Sequence, residues 1–175
     1  RISKSKTIYG SFENDQILPF KIQTAKGDET LEDQFIYHKY DSKGNPIVMS
    51  KKDGTKVCYI WGYHQTQPII KIEDFSSRSH SQQTAITNAV NASNYDIDQT
   101  SEDHLRSKLE LVRTTFSNSI ALLTTLTYNP QIGITSITDP RGKTMYYHYD
   151  AFNRLQFVKD HEGNIVSKNE YNFKN

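Results

Sequence analysis

The stretch Tyr149-Asp-Ala-Phe-Asn-Arg-Leu155 and the turn Asp160-His-Glu-Gly163 that follows it decide how this chain folds. After the first turn, Leu155 and Phe157 fall on one face and Val158 on the other, which is typical of a half-buried β-strand. Aspartate and asparagine bond their own backbone in turns, and glycine accepts a positive φ. The stretch therefore predicts a β-strand with a turn at each end, as in a β-hairpin.

The same pattern recurs at an interval of 21 residues. Tyr128 precedes Tyr149 by 21 residues, and Tyr40 precedes Trp61 by the same interval. Repeats of this length indicate stacked units, none of which buries its apolar face alone. The residues that define the repeat are Tyr40, Asp41, Gly54, Trp61, Tyr128, Asp139, Gly142, Tyr149, Asp150, Arg154, Asp160, Gly163 and Tyr171.

A mainly β fold of antiparallel hairpin repeats is therefore predicted for both ends of the chain. Residues 1–36 follow the repeat less closely than the rest. There the candidate strands are Ile8 to Gly10, Leu18 to Ile22 and Phe35-Ile36, as parts of a longer, irregular unit.

Residues 76–118 interrupt the repeat with a helical pattern. Ser76 to Ser81 predicts a polar linker, and the apolar residues from Ala85 to Val90 predict a short helix. Asn91 to Gln99 would be a loop. The capping box Thr100-Ser-Glu-Asp103 then predicts a second helix. We interpret the segment as an inserted helical hairpin, without which the sheet is expected to form.

The second helix carries an apolar stripe at helical spacing, formed by Leu105, Leu109, Val112 and Phe116. Such a stripe docks on the chain's own sheet or forms a face for a protein partner. The first alternative is the more common one, and the four residues are a possible partner face under the second.

The composition excludes several classes of function. The chain has 21 Lys and Arg against 20 Asp and Glu, so it lacks the basic surplus of a nucleic-acid-binding protein. It has no apolar run of about 18 residues, the length that would predict a membrane span. Cys58 is the only cysteine, and the 6 histidines are scattered. We therefore expect no metal site and no cofactor.

The residues around Tyr149 resemble the bacterial YD-repeat, or RHS-repeat, motif. Tyr149-Asp-Ala-Phe-Asn-Arg-Leu155 matches its tyrosine-aspartate and arginine-leucine steps, and Asp160-His-Glu-Gly163 matches its second turn. Tyr40-Asp41 through Gly54 is similar, although Asn45-Pro46 replaces the arginine-leucine step. The run Lys56 to Glu73 resembles the last repeats of large RHS proteins that Gram-negative bacteria secrete.

In that family, long spirals of β-hairpins wrap a hollow cocoon, which in the toxin members encloses a variable C-terminal effector. The resemblance implies that residues 1–75 and 119–175 are β-shell segments near the C-terminal part of such a protein, with 76–118 as the helical insertion. It also implies a secreted or cell-surface location in a Gram-negative bacterium. The expected partners are upstream repeats of the same parent protein and a secretion-machinery or cargo protein. Because the chain opens at Arg1 without Met, we expect a piece of a longer protein.

Asp139-Pro-Arg-Gly142 resembles the aspartate-proline motif at which RHS toxins cleave themselves. Those toxins carry a second motif about one repeat later. Here that position reads Asp160-His-Glu-Gly163-Asn164, without the proline or the following leucine, so we interpret both stretches as turns. We expect no catalytic residue and no enzyme activity. The predicted function is a structural wall or end-cap segment, acting by encapsulation or surface display. The alternative is an adhesin-like module that contacts glycan or a secretion partner.

Overall fold

The computed structural model describes residues 2–74 and 77–171, without the side chain of Asn14. The predicted boundary at residues 75 and 76 lies outside the described residues. A short 3-10 helix spans Glu13–Asp15, and two α-helices follow the sixth strand, α1 (His80–Ser93) and α2 (Gln99–Thr115). The strands are β1 (Ser3–Ser11), β2 (Ile17–Lys26), β3 (Glu32–Tyr40), β4 (Pro46–Lys51), β5 (Lys56–Gly62), β6 (Gln67–Glu73), β7 (Leu122–Asn129), β8 (Gly133–Thr138), β9 (Thr144–Tyr149), β10 (Leu155–Lys159) and β11 (Ile165–Lys168).

These 11 strands form one sheet whose spatial order is the order of the sequence. Each described strand pairs antiparallel with the strand before it, so the prediction of a mainly β fold of antiparallel hairpins is confirmed. The two helices do not interrupt the sheet. The strand before them, β6, pairs directly with the strand after them, β7, and Glu73 lies opposite Leu122. The N-terminal strands are longer than predicted, since β1 and β2 pair from Ser3 opposite Lys26 to Ser11 opposite Ile17.

Four of the hairpin turns share one hydrogen-bond arrangement built on an aspartate. Oδ1 of Asp160 accepts hydrogen bonds from the backbone N–H groups of Glu162 and Asn164, at 3.0 and 2.9 Å. Asp41, Asp139 and Asp150 accept from the second and fourth residues after them in the same way. The aspartate thus holds the turn closed with its own side chain.

The residue three positions after each of these aspartates has a left-handed backbone. Its φ is 81° at Gly44, 82° at Gly142 and 88° at Gly163. Asn153 takes the same place with a φ of 61°. Glycine and asparagine tolerate this conformation better than other residues. Gly54 has a φ of 85° in a related turn, where Lys51 stands in place of the aspartate.

The helices begin at different residues from those predicted. The side chain of Ser79 caps α1, so the helix takes in Ser81, which was predicted as linker. Asp98, not Thr100, caps α2, because its carboxylate accepts from the backbone N–H of Ser101. Thr100 already lies inside the helix, and the loop between the helices is shorter than the predicted 91–99.

The hydrophobic core lies between the two helices and the middle of the sheet. Ile69, Ile70 and Ile72 of β6 are fully buried, as is Leu105 of α2. The outer strands are more open, and all four residues of β11 are exposed. The apolar core is therefore concentrated where the helices cover the sheet.

Candidate functional site

The apolar stripe of α2 faces the chain's own sheet. Leu105 and Val112 are 0% exposed, and Leu109 and Phe116 are 3% and 4% exposed. They belong to one core cluster with Ile70 and its neighbours. The interpretation of the stripe as a possible partner face is therefore corrected, because these four side chains are not accessible to a second protein.

Four aromatic residues of the repeat, Tyr40, Trp61, Tyr128 and Tyr149, lie at or next to the end of a strand, and Tyr171 follows β11. Each donates a hydrogen bond from its side chain to a backbone carbonyl of an earlier strand, over 2.6–3.0 Å. These bonds tie neighbouring strands together through side chains and leave the hydroxyls of the tyrosines engaged within the sheet. The donor–acceptor pairs are Tyr40 and Pro19, Trp61 and Pro46, Tyr128 and Pro68, Tyr149 and Ile134, and Tyr171 and Leu155.

Arg154 links a repeat turn to the next repeat aromatic. Its Nε donates to Oδ2 of Asp150 at 2.8 Å, and its guanidinium lies 4.3 Å from the ring centroid of Tyr171. The hydrogen bond from Arg154 holds the pKa of Asp150 below its usual range. The arginine of the motif thus bridges two successive units.

Asp139 and Asp160 lie in separate turns. Asp139 follows β8, and its Oδ1 accepts from the backbone N–H groups of Arg141 and Lys143, each at 2.9 Å. Asp160 follows β10 and caps its own turn, and its hydrogen bond with Asn164 lowers the pKa of the carboxyl. Both carboxylates therefore accept hydrogen bonds from backbone N–H groups of their own turns, which agrees with their interpretation as turn residues.

We expect Asp139→Ala to leave the length of the purified chain unchanged, so that its mass differs from the wild type only by the substitution itself. The free energy of unfolding should fall by about 2 kcal/mol, because two hydrogen bonds to the Asp139 carboxylate are lost and each is typically worth about 1 kcal/mol. Intact-mass spectrometry and urea denaturation measure the two quantities. A shorter product seen with the wild type but not with the variant would support self-cleavage instead.

An unpredicted feature lies at the turn between β5 and β6. Tyr63, His64 and Gln65 have φ values of 48°, 56° and 65°, three successive non-glycine residues in the left-handed region. Such residues cost of order 1 kcal/mol or more each and persist only where the surroundings hold them. We call Tyr63, His64 and Gln65 the left-handed turn.

The C-terminal end of α1 holds the left-handed turn in place. The backbone N–H of Tyr63 donates to Oγ of Ser93 at 3.1 Å, and that of His64 donates to Oδ1 of Asn94 at 2.6 Å. From the other side, Asn45 donates to the carbonyl of Gln65 at 2.9 Å. The turn is therefore a contact between the repeat sheet and the inserted helices.

A buried polar pair reinforces that contact. The hydroxyl of Tyr63 donates to Oδ2 of Asp96 at 2.6 Å and accepts from the backbone N–H of Tyr128 at 2.9 Å. Burial raises the pKa of Asp96, and burial together with the bond to Asp96 raises the pKa of Tyr63. Burial also raises the pKa of Tyr128 to about 12. Sequence spacing carries no signal for this pair, because its members are 33 residues apart.

A second polar contact joins α2 to β7 and β8. Glu102 is 8% exposed, and its Oε1 accepts from the Thr127 hydroxyl at 2.7 Å and from the hydroxyl of Thr135. Arg106 donates to the same oxygen at 2.7 Å, so the buried charge is paired. Removal of one partner from such a network leaves a buried polar group unsatisfied. The network therefore fixes the position of α2 on the sheet.

Cys58 is fully enclosed, and the described His, Cys, Asp and Glu side chains form no metal-binding group. Cys58 is 0% exposed, and burial raises the pKa of its thiol although Arg78 lies 2.6 Å from the sulfur. Across residues 2–74 and 77–171, no three His, Cys, Asp or Glu side chains come together in a metal-binding arrangement. In the same part of the chain, neither helix has the length and apolar character needed to cross a membrane.

The site supported by the geometry is thus the junction at which the helices are bonded to the repeat sheet. Its polar members are Tyr63, Ser93, Asp96, Glu102 and Thr127. Comparison with known proteins finds no protein family that matches this chain, and no characterised protein that matches it in sequence.

Proposed function

We propose that this chain is a segment of the wall of a β-shell, in a secreted or cell-surface RHS-type protein of a Gram-negative bacterium. Its role would be structural, by encapsulation or surface display. The observation that carries the proposal is the repeated bond from a strand-end aromatic to the preceding strand, found in four units and followed by a similar bond from Tyr171 to β10. A unit that bonds in this way to its neighbour can be added indefinitely, which is the property that a wall needs.

The open ends of the sheet support the same proposal. Ile165 and Val166 of β11 are 56% and 52% exposed, and Ile2 and Tyr9 at the other end are 78% and 61% exposed. Strand edges with exposed apolar side chains are normally covered in folded proteins. Upstream repeats of the parent protein would cover the β1 end, and a further repeat or a cargo or secretion partner would cover the β11 end.

The two inserted helices would support the wall by packing on one face of the sheet. They are bonded to the sheet at the left-handed turn and at Glu102, and they bury the apolar face of β5, β6 and β7. A wall one sheet thick has no second layer of its own, so a local helical layer supplies a hydrophobic core for the strands beneath it.

Adding one repeat unit should stabilise the protein. We would place a second copy of residues 150–171 directly after Tyr171, so that Tyr171 stands where Tyr149 stands in the preceding unit. A new unit adds its interface with its neighbour to the total stability. The midpoint of thermal unfolding should therefore rise by about 2–4 °C per kcal/mol gained in a domain of this size.

The matched control is an extension of the same composition in shuffled order. If the repeat extension and the shuffled extension give the same midpoint, the units do not stack and the wall proposal fails. Circular dichroism should also show added β-structure with the repeat extension alone.

A further inference from the structure

Beneath α2, the face of the sheet changes from apolar to hydroxyl-bearing side chains. Ile70 of β6 lies opposite Thr125 of β7. Thr125 lies opposite Thr138 of β8, and Thr138 lies opposite Thr144 of β9. Three threonines thus form a row across three strands. Packing of α2 on the sheet does not need hydroxyl-bearing side chains, because apolar side chains at these positions would stabilise the contact more.

A cavity of about 210 Å³ lies between this row and α2. It is smaller than most sites for drug-sized ligands, which take about 300–1,000 Å³. It has room for a small group of atoms together with water. We call it the threonine cleft, and its lining includes Arg106, Glu110, Arg113, Thr125, Thr138 and Thr144.

Arg106 and Arg113 stand on the same side of α2, seven residues and about two helical turns apart. Arg106 is paired with Glu102 and Asp103 at 2.7 and 2.9 Å. Its guanidinium lies 5.3 Å from the ring centroid of Tyr146. The charge of Arg106 is therefore already balanced by the two carboxylates of its own helix.

The charge of Arg113 is not balanced by close carboxylates in this way. Its side chain is only 12% exposed, and it donates to the backbone carbonyls of Leu123 and Asp139 at 3.0 and 2.7 Å. The carboxylate oxygen paired with it belongs to Glu110, at 3.8 Å from Nε, and that side chain is 71% exposed. A nearly buried guanidinium whose close partners are neutral carbonyls favours an anion beside it.

Thr125 has unused hydrogen-bonding capacity at the same place. It is 3% exposed, yet no hydrogen bond of its hydroxyl is found among the residues that the structure describes. Thr138 and Thr144 bond each other at 2.9 Å, so the hydroxyl that accepts in this bond still has its own hydrogen to donate. The hydroxyl oxygen is not fully enclosed by protein, and Thr125 lines the threonine cleft, so a ligand atom can reach this oxygen.

We propose that the threonine cleft binds a small oxyanion, a phosphate or sulfate group, beside the Arg113 guanidinium and the Thr125 hydroxyl. Guanidinium groups bind such anions through charge-assisted hydrogen bonds, and hydroxyls complete the coordination of the remaining oxygens. An anion held between Arg113 and Thr125 contacts α2 and β7 at once, so its binding would also stabilise the helices on the sheet.

The test is isothermal titration calorimetry of the whole chain with inorganic phosphate, sulfate and O-phosphoserine, at constant ionic strength in chloride. Saturable binding of at least one of them is expected. Tighter binding of O-phosphoserine than of inorganic phosphate would indicate a group carried on a larger molecule, and the reverse would indicate a free ion. No saturable binding of any of the three would overturn the proposal.

Two variants show whether the binding occurs in the threonine cleft. Thr125→Val keeps the shape of the side chain but removes the hydroxyl, and should weaken binding up to about tenfold, the value of one hydrogen bond. Thr124→Val is the matched control, because Thr124 points to the opposite face of β7. Equal affinity in both variants would place the anion elsewhere and contradict the proposal. A change in melting temperature of each variant without ligand shows whether either has lost its fold.

Discussion

Replacement of residues 76–118 by a short Gly/Ser linker is expected to abolish cooperative unfolding. The helices contribute Ile86, Ala89, Leu105 and the rest of the α2 stripe to the core cluster. Without them, the fully buried Ile70 and Ile72 of β6 would face water. Burial of one such side chain is worth about 1.5–3 kcal/mol, so the loss of the whole layer exceeds the roughly 5–15 kcal/mol that typically stabilises a domain.

The linker itself should not strain the chain, because Glu73 and Leu122 are paired neighbours on β6 and β7. Thermal and urea unfolding followed by circular dichroism measure the effect. A variant that keeps the β spectrum and a sigmoidal transition would show that the helices are a dispensable insertion, as the sequence pattern alone suggests.

Two single substitutions in α2 test the same core with the chain length unchanged. Leu105→Ala should lower the free energy of unfolding by about 3 kcal/mol, since it removes a fully buried side chain. Leu111→Ala is the matched control on the same helix, because Leu111 is 55% exposed. Its effect should stay within about 0.5 kcal/mol. Similar losses in the two variants would contradict the placement of α2.

Gly62→Ala should destabilise the protein by about 3 kcal/mol or more. Gly62 precedes the left-handed turn, and a Cβ atom there would lie 2.3 Å from Oγ of Ser93 and 2.8 Å from Cγ2 of Ile69. Ile69 is fully buried, and Ser93 Oγ holds the backbone N–H of Tyr63, so neither can move without loss. Overpacking of this kind typically costs about 1–3 kcal/mol, and here a hydrogen bond is lost as well. Urea denaturation gives the value.

Gly163→Asn is the matched control for that substitution. Gly163 has a φ of 88°, and a Cβ atom there would have no neighbour within 4 Å, so only the backbone conformation restricts this position. Asn153 already occupies the equivalent place in the preceding turn. The cost should therefore stay below about 1 kcal/mol. A larger loss at Gly163 than at Gly62 would contradict the packing described around the left-handed turn.

The strands and turns could be predicted from the sequence because their signals are local. Asp139, Asp150 and Asp160 each bond to residues two and four positions later, and the glycine or asparagine follows at a fixed step. The alternation of side chains after Tyr149 is equally local. The antiparallel order follows, since short turns connect neighbouring antiparallel strands.

The junction between the helices and the sheet could not be predicted, because its partners are far apart in the sequence. Tyr63 and Asp96 are 33 residues apart, and Tyr63 and Tyr128 are 65 apart. The left-handed conformations of Tyr63 and His64 have no local cause such as glycine or asparagine, and are held by the bonds of their backbone N–H groups to Ser93 and Asn94.

The predicted cap of α2 is wrong for a related reason. Thr100 satisfies the capping pattern in the sequence, but Asp98 is the residue at which the loop enters the helix. The path of that loop depends on the contact of Asp96 with Tyr63, which local spacing does not reveal.

Hydrogen–deuterium exchange of β11 tests most directly the claim that this chain is a segment of a repeat wall. The chain is compared with the form in which residues 150–171 are repeated after Tyr171, and with the form that carries the shuffled extension. In the wall account, the repeat extension pairs with the free edge of β11, and the amides among residues 165–168 that point away from β10 exchange at least about tenfold more slowly, equivalent to about 1.4 kcal/mol of added protection. Equally fast exchange of these amides with the repeat and shuffled extensions would contradict the account.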